Sequence, residues 1–237
     1  MKKVAVIQSA YLPWKGYFDI IHDVDQFIFY DDVQASNKND WRNRNRIKTN
    51  SGIIWMTIPV GSRGNQLICD IQIRDSSWQK KHWDTIQCFY SKAPYYKLYQ
   101  EFFKSFYLDK EWTNLSELNQ YLTMHIAKEY LKISTNFVDS REYNASAKKL
   151  DRLMEVLTKS RAELYVSGPS AHDYIDEKRF EVARIELLYK NYDGYPEYPQ
   201  FYPPFAAEVS IIDLLFHVGP DAPYYIWGWR ESKEDLI

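Results

Sequence analysis

The chain has 237 residues, and its 30 lysines and arginines against 32 aspartates and glutamates give a formal net charge of −2. This balance excludes a general binder of nucleic acid or of acidic membranes, because such proteins neutralise phosphates with an excess of cationic side chains. With 45% hydrophobic and 26% charged residues, the composition is that of a globular protein. The aromatic content of 17% fits either a tyrosine-rich core or a cleft for partly polar ligands.

The first part of the chain predicts a strand, a loop, a helix and a second strand. Residues 4–7 form a short apolar, β-branched run, residues 17–22 are amphipathic, and residues 26–30 form the next apolar run. Residues 53–60 and 67–73 are strand-like on either side of residues 61–65, which contain two glycines and predict a hairpin turn. The apolar positions of residues 76–131 then follow the spacing of three helices.

The last part of the chain alternates between strand-like and helical patterns. The predicted order of strand, helix, strand, helix, strand covers residues 134–138, 147–159, 164–167, 171–180 and 185–189. Residues 191–208, rich in Tyr and Pro, predict a long loop, and residues 211–217 predict a short buried helix. We therefore expect an α/β fold with a mostly parallel, Rossmann-like sheet, and one domain over residues 1–237 with a helical insertion at about residues 76–131.

Neither a membrane span nor a secreted, disulfide-linked protein is indicated. The apolar stretch at the N-terminus is short and soon meets Gln8, and the longest apolar run, residues 211–218, is too short for a bilayer. Cys69 and Cys88 match neither a disulfide framework nor a metal-binding spacing. The expected location is therefore the cytoplasm.

In open parallel sheets, ligands bind beyond the carboxyl ends of the strands. This rule selects residues that follow three predicted strands: Gln8, Asp31, Asp32, Gln34, Ser167 and Gly168. Residues 41–48, with the sequence WRNRNRIK, add guanidinium groups and the amides of Asn43 and Asn45. Carboxylates facing guanidinium groups would suit a ligand that carries both hydroxyls and phosphate or carboxylate.

Each of these features also has a purely structural interpretation. Asp31 can cap a loop, and the arginine-rich segment can be a solvated loop whose ion pairs contribute little. The phosphate-binding patterns GxGxxG and GxxxxGK[ST] are absent, so Gly168 with Pro169 can be an ordinary turn, and the sequence predicts no cofactor or metal site. His82 follows two lysines, which favour its neutral form, so it is a candidate general base.

Several longer motifs resemble the WbqC-like family, in the order that the family shows them. They are QSAYLPWKGYF at residues 8–18, DDVQ at 31–34, WRNRNRIK at 41–48, HW at 82–83, YSKAPY at 90–95, YVSGP at 165–169, YPQ at 198–200 and SIIDLLF at 210–216. Two residues depart from the family pattern: Ser9 replaces its usual proline, and His217 replaces its usual asparagine.

This resemblance implies a protein of bacterial O-antigen, or lipopolysaccharide, biosynthesis that acts on a nucleotide sugar. We expect transfer of an acyl or aminoacyl group to the amine of a nucleotide-linked amino sugar, with an acyl or peptidyl carrier protein as a donor. Such a reaction needs a base, oxyanion donors and a pocket for sugar and diphosphate. The residues expected to supply these functions are His82 or Asp31 as base, Asn43 and Asn45 as donors, Arg44 on phosphate, and Tyr11 and Trp14 stacking on base or sugar.

Two other classes of function stay open. The first strand, loop, helix and strand resemble those of nucleotidyl-transferase folds that use ATP, although the HxGH pair is absent. A binding module for nucleotide sugars without catalytic activity is the third interpretation. Turnover separates the first class from the third, and consumption of ATP identifies the second.

Overall fold

A computed structural model describes residues 1–36, 40–61, 64–173 and 175–230 of the chain. The described residues form seven strands: β1 (Lys3–Ile7), β2 (Gln26–Phe29), β3 (Arg44–Thr49), β4 (Gly52–Thr57), β5 (Asn136–Asp139), β6 (Leu164–Ser167) and β7 (Glu186–Tyr189). The α-helices are α1 (Lys15–His22), α2 (Ser77–Tyr90), α3 (Tyr96–Leu108), α4 (Leu115–His125), α5 (Lys149–Lys159), α6 (Glu177–Ala183) and α7 (Ile211–Val218).

The main sheet has five strands in the order β5-β2-β1-β6-β7, and every neighbouring pair is parallel. The chain builds one half of the sheet outward from β1 and then returns to build the other half on the opposite side of β1. This is the strand order of dinucleotide-binding folds, in which the order reverses next to the first strand. The predicted α/β fold with a mostly parallel sheet is confirmed.

The core lies on both faces of the sheet because side chains alternate along each strand. On β1, Ala5 packs with α1, α7 and the helices α2 to α4, whereas Val4 and Val6 pack with α5 and α6. On β2, Phe27 packs on the same face as Ala5, and Ile28 packs on the same face as Val4 and Val6. The helices α2, α3 and α4 stand between β4 and β5 in the chain, where the helical insertion was predicted.

The predicted hairpin of residues 53–60 and 67–73 is wrong in its second strand. β4 pairs instead with β3 in an antiparallel sheet of two strands, and Arg46 lies opposite Trp55. Residues 67–73 contain a short 3₁₀ helix, Ile68–Asp70, and isolated bridges. The sequence pattern did not predict β3 as a strand, because its buried face carries the polar residue Asn45. The side-chain amide of Asn45 donates to the carbonyls of Tyr11 and Leu12. Ser62 and Arg63 of the predicted turn lie outside the described residues.

The elements near the C-terminus follow the prediction with one change. Within the predicted helix of residues 171–180, the described residues form a 3₁₀ helix, Pro169–Asp173, and then α6. Residues 191–208 contain neither helix nor strand, as expected for a functional or structural loop. Ser210 caps α7, its hydroxyl accepting the amide hydrogen of Ile212. Across the described ranges of the chain, none of the helices has the length and apolar character needed to cross a membrane.

A buried ionic network fastens this long loop and the last described residues to α1. The carboxylate of Asp19 is buried, accepts two hydrogen bonds of 2.7 Å from Arg230, and lies 2.9 Å from Nζ of Lys190. It also accepts the hydroxyl of Tyr195. Lys190 pairs in addition with Asp23. A charge removed from water is tolerated only when it is paired and hydrogen-bonded in this way.

We expect Asp19→Asn to lower the free energy of unfolding by roughly 3 kcal/mol or more, since the buried Lys190 and the partly buried Arg230 would lose their common carboxylate. The matched control is Asp84→Asn, which breaks the exposed pair of Asp84 with Lys80 and should cost less than about 1 kcal/mol. Urea denaturation measures both. Equal losses in the two variants would show that the Asp19 network does not stabilise the fold.

Candidate substrate cleft

A cleft of about 1580 Å³ lies beyond the carboxyl ends of β1 and β6. It opens there because the two strands pair only at their beginnings, with Val4 opposite Tyr165 as the last register pair. β1 continues to pair with β2 as far as Ile7, and β6 with β7 as far as Ser167. β1 and β6 therefore separate at the point where the strand order reverses, which is where such folds bind ligands.

The loop after β1 is held on the β2 side of this opening by Asp31. One carboxylate oxygen of Asp31 accepts the backbone amide of Ser9 at 2.8 Å, and the other accepts the hydroxyl of Ser116 on α4 and, at 3.2 Å, the amide of Gln120. The Asp31 side chain is completely buried. It fixes the loop and does not face the cleft.

Aromatic side chains form the wall of the cleft near α1. The ring of Trp14 lies against Gly16, where an added Cβ atom would come within 2.3 Å of the indole. Its centroid is 5.0 Å from that of Tyr192, a residue of the long loop. Tyr17 donates its hydroxyl to the carbonyl of Gln8 at 3.0 Å. Trp14 thus covers part of the beginning of α1.

On the β2 side, Asp32 and Arg152 form an ion pair at the cleft surface. One oxygen of Asp32 accepts the guanidinium of Arg152, and the other accepts the hydroxyl of Ser140 at 2.5 Å. Tyr30 also lines this part of the cleft, and burial raises its pKa to about 12, the positive charge of Arg152 acting in the opposite direction. The phenol of Tyr30 is therefore neutral at physiological pH and can donate a hydrogen bond.

The N-terminal end of α5 faces the same space. Lys148 and Lys149 are exposed and line the cleft there, and no side chain caps the helix. Neither lysine forms an ion pair with any residue that the structure describes. Two ammonium groups beside the positive end of a helix dipole give this end of the cleft a positive potential that attracts anions.

Two further ion pairs border the cleft on the side of the β3–β4 hairpin. Arg42 donates to Gln8 and to Asp40, and its backbone carbonyl accepts the amide of Asn119 at 2.8 Å. Arg46 pairs with Glu208 at 2.8 Å. The cleft thus has fixed cations, carboxylates and amides around an aromatic wall, a lining suited to a ligand with several polar groups.

His82 belongs to a buried chain of hydrogen bonds beneath the cleft. The Tyr11 hydroxyl lies 2.8 Å from Nδ1 of His82 and 2.5 Å from the hydroxyl of Tyr107. Burial lowers the pKa of His82 to about 4, although its hydrogen bond with the backbone of Thr57 acts in the opposite direction. The ring is therefore neutral, donates to Thr57 and accepts the Tyr11 hydroxyl.

The structure brings most of the predicted binding residues together, but neither predicted base. The predicted residues that line the cleft are Gln8, Trp14, Asp32, Gln34, Asn45, Ser167 and Gly168. Those that do not line it are Asp31, His82, Tyr11, Asn43 and Arg44. Asn43 donates to the carbonyl of Ile58 inside the hairpin, and Arg44 stacks on Trp55 at 4.1 Å. Arg44 is thus placed for a role outside the cleft and not for binding phosphate within it.

Five cationic residues of the cleft were not selected as individual residues from the sequence: Arg42, Arg46, Lys148, Lys149 and Arg152. Arg42 and Arg46 lie in the noted arginine-rich segment, but only the start of β3 at Arg44 shows that Arg42 precedes the strand. The other three belong to the first turn of a crossover helix or flank it. The rule that helix N-termini attract anions could have selected them. Among the described residues, no cluster of three or more His, Cys, Asp or Glu side chains is arranged to hold a metal ion.

The lowered pKa of His82 predicts a pH dependence of stability. The unfolded chain binds a proton near the ordinary value of 6.5 and the folded chain only near about 4, so the free energy of unfolding falls as the pH falls between these values. The contribution is at most about 3 kcal/mol, at 1.36 kcal/mol for each unit of pKa.

Urea denaturation at pH 7 and pH 4.5 tests this contribution. The native protein should lose more stability on acidification than His82→Gln does, because glutamine does not titrate. His172→Gln, a change at an exposed imidazole, is the control and should behave like the native protein. The same loss in the native protein and in His82→Gln would refute a neutral, buried His82.

Comparison with known proteins identifies the family of this chain. The chain is 45% identical over 233 residues to the uncharacterized protein Rv1507c of Mycobacterium tuberculosis, which covers 98% of this chain and 100% of that protein. No solved structure is significantly similar to the chain. Residues 8–225 match the WbqC-like protein family, a range that includes the loop after β1 and the long loop beside the cleft. The chain belongs to the WbqC-like protein family.

Proposed function

We propose that this protein transfers an acyl or aminoacyl group to the amine of a nucleotide-linked amino sugar. The observation that supports it is the cleft at the division of β1 from β6, with cations at one end and amides and carboxylates beside them. A diphosphate suits the cationic end at Lys148 and Lys149, and a sugar suits Gln8, Asp32 and Ser167. Trp14 and Tyr192 offer faces for a base or a sugar ring.

The size of the cleft supports a reaction between two substrates. Pockets for one small molecule commonly measure about 300 to 1,000 Å³. The volume here, about 1580 Å³, leaves room for the acyl donor beside the nucleotide sugar. Holding both reactants in one site is the main requirement of an acyl transfer, because it removes the entropic cost of bringing them together during the reaction.

The proposed reaction forms one C–N bond, breaks one C–S bond and moves one proton. The neutral amine of the sugar attacks the carbonyl carbon of a thioester, the new C–N bond forms, and the C–S bond breaks with release of a thiolate. The amine proton passes to a carboxylate, and we assign this role to Asp32, which lines the cleft. Tyr30 is neutral and can donate a hydrogen bond to the oxyanion.

Asp31 and His82 then act through other residues. Asp31 fixes the amide of Ser9, next to the cleft residue Gln8, and His82 fixes the hydroxyl of Tyr11. Buried groups with these partners position the loop after β1. Proton transfer to substrate requires contact within about 3 Å or through one water molecule, which a residue at the cleft surface satisfies more directly.

The biological setting is part of the same proposal. The resemblance to the WbqC-like family supports a reaction in the synthesis of bacterial surface polysaccharide, in which an acyl or peptidyl carrier protein would deliver the donor. A cytoplasmic location is consistent with the two free cysteines, of which Cys69 is buried and Cys88 exposed.

One structural observation favours a second candidate, nucleotidyl transfer with ATP. The strand order β5-β2-β1-β6-β7 is that of folds that bind dinucleotides. Against it, those folds place phosphate at the first helix, whereas here Trp14 lies against Gly16 at the beginning of α1. A module that binds nucleotide sugars without turnover would have the same cleft and is distinguished by an activity assay.

We expect nucleotide-linked amino sugars to raise the melting temperature more than ATP does, because a ligand that binds only the folded state stabilises it. Thermal-shift assays with UDP-linked and dTDP-linked amino sugars, UDP and ATP test this. A shift with ATP and none with any nucleotide sugar would favour nucleotidyl transfer.

Replacing Lys148 and Lys149 together by Gln should weaken binding of the nucleotide sugar about 10-fold, through the loss of two charge-assisted contacts. Lys97→Gln, an exposed change on α3, is the control.

We expect Asp32→Asn to lower kcat by roughly 100-fold or more while binding of the nucleotide sugar persists, because asparagine cannot accept the amine proton. Formation of the N-acylated sugar, followed by mass spectrometry, is the measurement. Asp84→Asn, at an exposed site on α2, should leave kcat unchanged. Full turnover by Asp32→Asn would remove Asp32 from the chemistry.

A further inference from the structure

The outer face of the β3–β4 hairpin carries aromatic and cationic side chains together. Because side chains alternate along a strand, Arg44 and Arg46 share one face of β3, with Trp55 opposite Arg46 on β4. The other face, with Ile47 and Met56, is buried in the core. The hairpin is therefore anchored on one side and presents Arg44, Arg46, Ile53 and Trp55 on the other.

Two tryptophans and two guanidinium groups form a stack on this face. Trp41 and Trp55 have centroids 5.4 Å apart and are 49% and 44% exposed. Arg44 lies 4.1 Å from the centre of the Trp55 ring, and Arg46 lies 5.1 Å from that of Trp41. Ile53, on the same face of β4 as Trp55, is also exposed. We refer to Trp41, Arg44, Arg46, Ile53 and Trp55 as the hairpin face.

The hairpin face continues into the mouth of the cleft. Trp41 and Arg46 line the cleft and belong to the stack as well. Lys148 and Lys149 also line the cleft, at the N-terminal end of α5. Within the described ranges, Arg44, Lys148 and Lys149 form no ion pair, although the whole chain has a net charge of −2. Among the described residues, five cationic side chains and three carboxylates line the cleft, so the net charge of this lining is positive.

We propose that the hairpin face is the docking surface for an acidic carrier protein, which delivers the acyl thioester to the cleft on a flexible arm. Tryptophan and arginine are the residues that most often dominate protein–protein binding energy. Arg44, which forms no ion pair within the described ranges, and the net positive charge of the cleft lining fit an acidic partner by charge complementarity. The inference rests on the proposed function, and it assigns the carrier a surface outside the residues that bind the nucleotide sugar.

Isothermal titration calorimetry with a phosphopantetheine-bearing acyl carrier protein tests docking without turnover. Trp55→Ala and Arg44→Glu should each weaken binding about 10-fold or more, as expected for a central aromatic anchor and a reversed charge. Neither residue lines the cleft, so both variants should bind the nucleotide sugar normally. Lys97→Glu is the matched charge reversal at an exposed position and should bind the carrier as the native protein does. Added salt should weaken carrier binding.

A kinetic comparison tests whether docking of the carrier contributes to the reaction. With the carrier-bound donor, Trp55→Ala and Arg44→Glu should raise KM about 10-fold or more, and with the same acyl group on free pantetheine they should leave KM unchanged. Carrier binding that is absent, or that both variants leave intact, overturns the docking surface. Binding of single-stranded nucleic acid or acidic polysaccharide to this face, without carrier binding, also overturns it. Loss of the proposed function is a separate result: carrier binding persists, but no donor is consumed.

Discussion

The buried carboxylate of Asp31 is the interaction on which the cleft depends. By accepting the amide of Ser9 and the hydroxyl of Ser116, it ties the loop after β1 to the end of β2 and to α4. The loop is thereby held on the β2 side of the opening, where the pairing of β1 with β6 ends at Val4 and Tyr165. A sheet that stayed paired to its end would leave no opening at this position. The anchored carboxylate thus fixes one edge of the opening between the two halves of the sheet.

Other buried hydrogen bonds and ion pairs hold the loops around this opening. The chain of Tyr107, Tyr11 and His82 fastens the loop to the inserted helices, and Asn45 holds the same loop to the hairpin. The Asp19 network fixes the long C-terminal loop, which contributes Tyr192 to the aromatic wall. Buried polar groups with complete sets of partners are well suited to this purpose, because they specify a single arrangement of loops that have little regular structure.

The parts of the fold that could be predicted are those where the pattern matches the burial. β1 and β6 are apolar runs buried in the sheet, and the rule on strand ends then selected Gln8, Asp32, Ser167 and Gly168, which line one cleft. β3 could not be predicted, because its inward residue Asn45 is polar and its partners come from a distant loop. Likewise, Asp31 and Asp32 are adjacent in sequence, and only the position of α4 shows which carboxylate is buried.

The central claim is that a nucleotide-linked amino sugar binds where β1 and β6 separate. A crystal structure of the protein with such a ligand tests it most directly, since it shows both the place and the orientation of binding. The account predicts the diphosphate at Lys148 and Lys149 and the sugar beside Gln8 and Asp32, with its amine within about 3 Å of a carboxylate oxygen of Asp32 or joined to it through one water molecule. A ligand bound elsewhere on the protein, with this cleft empty, would contradict it.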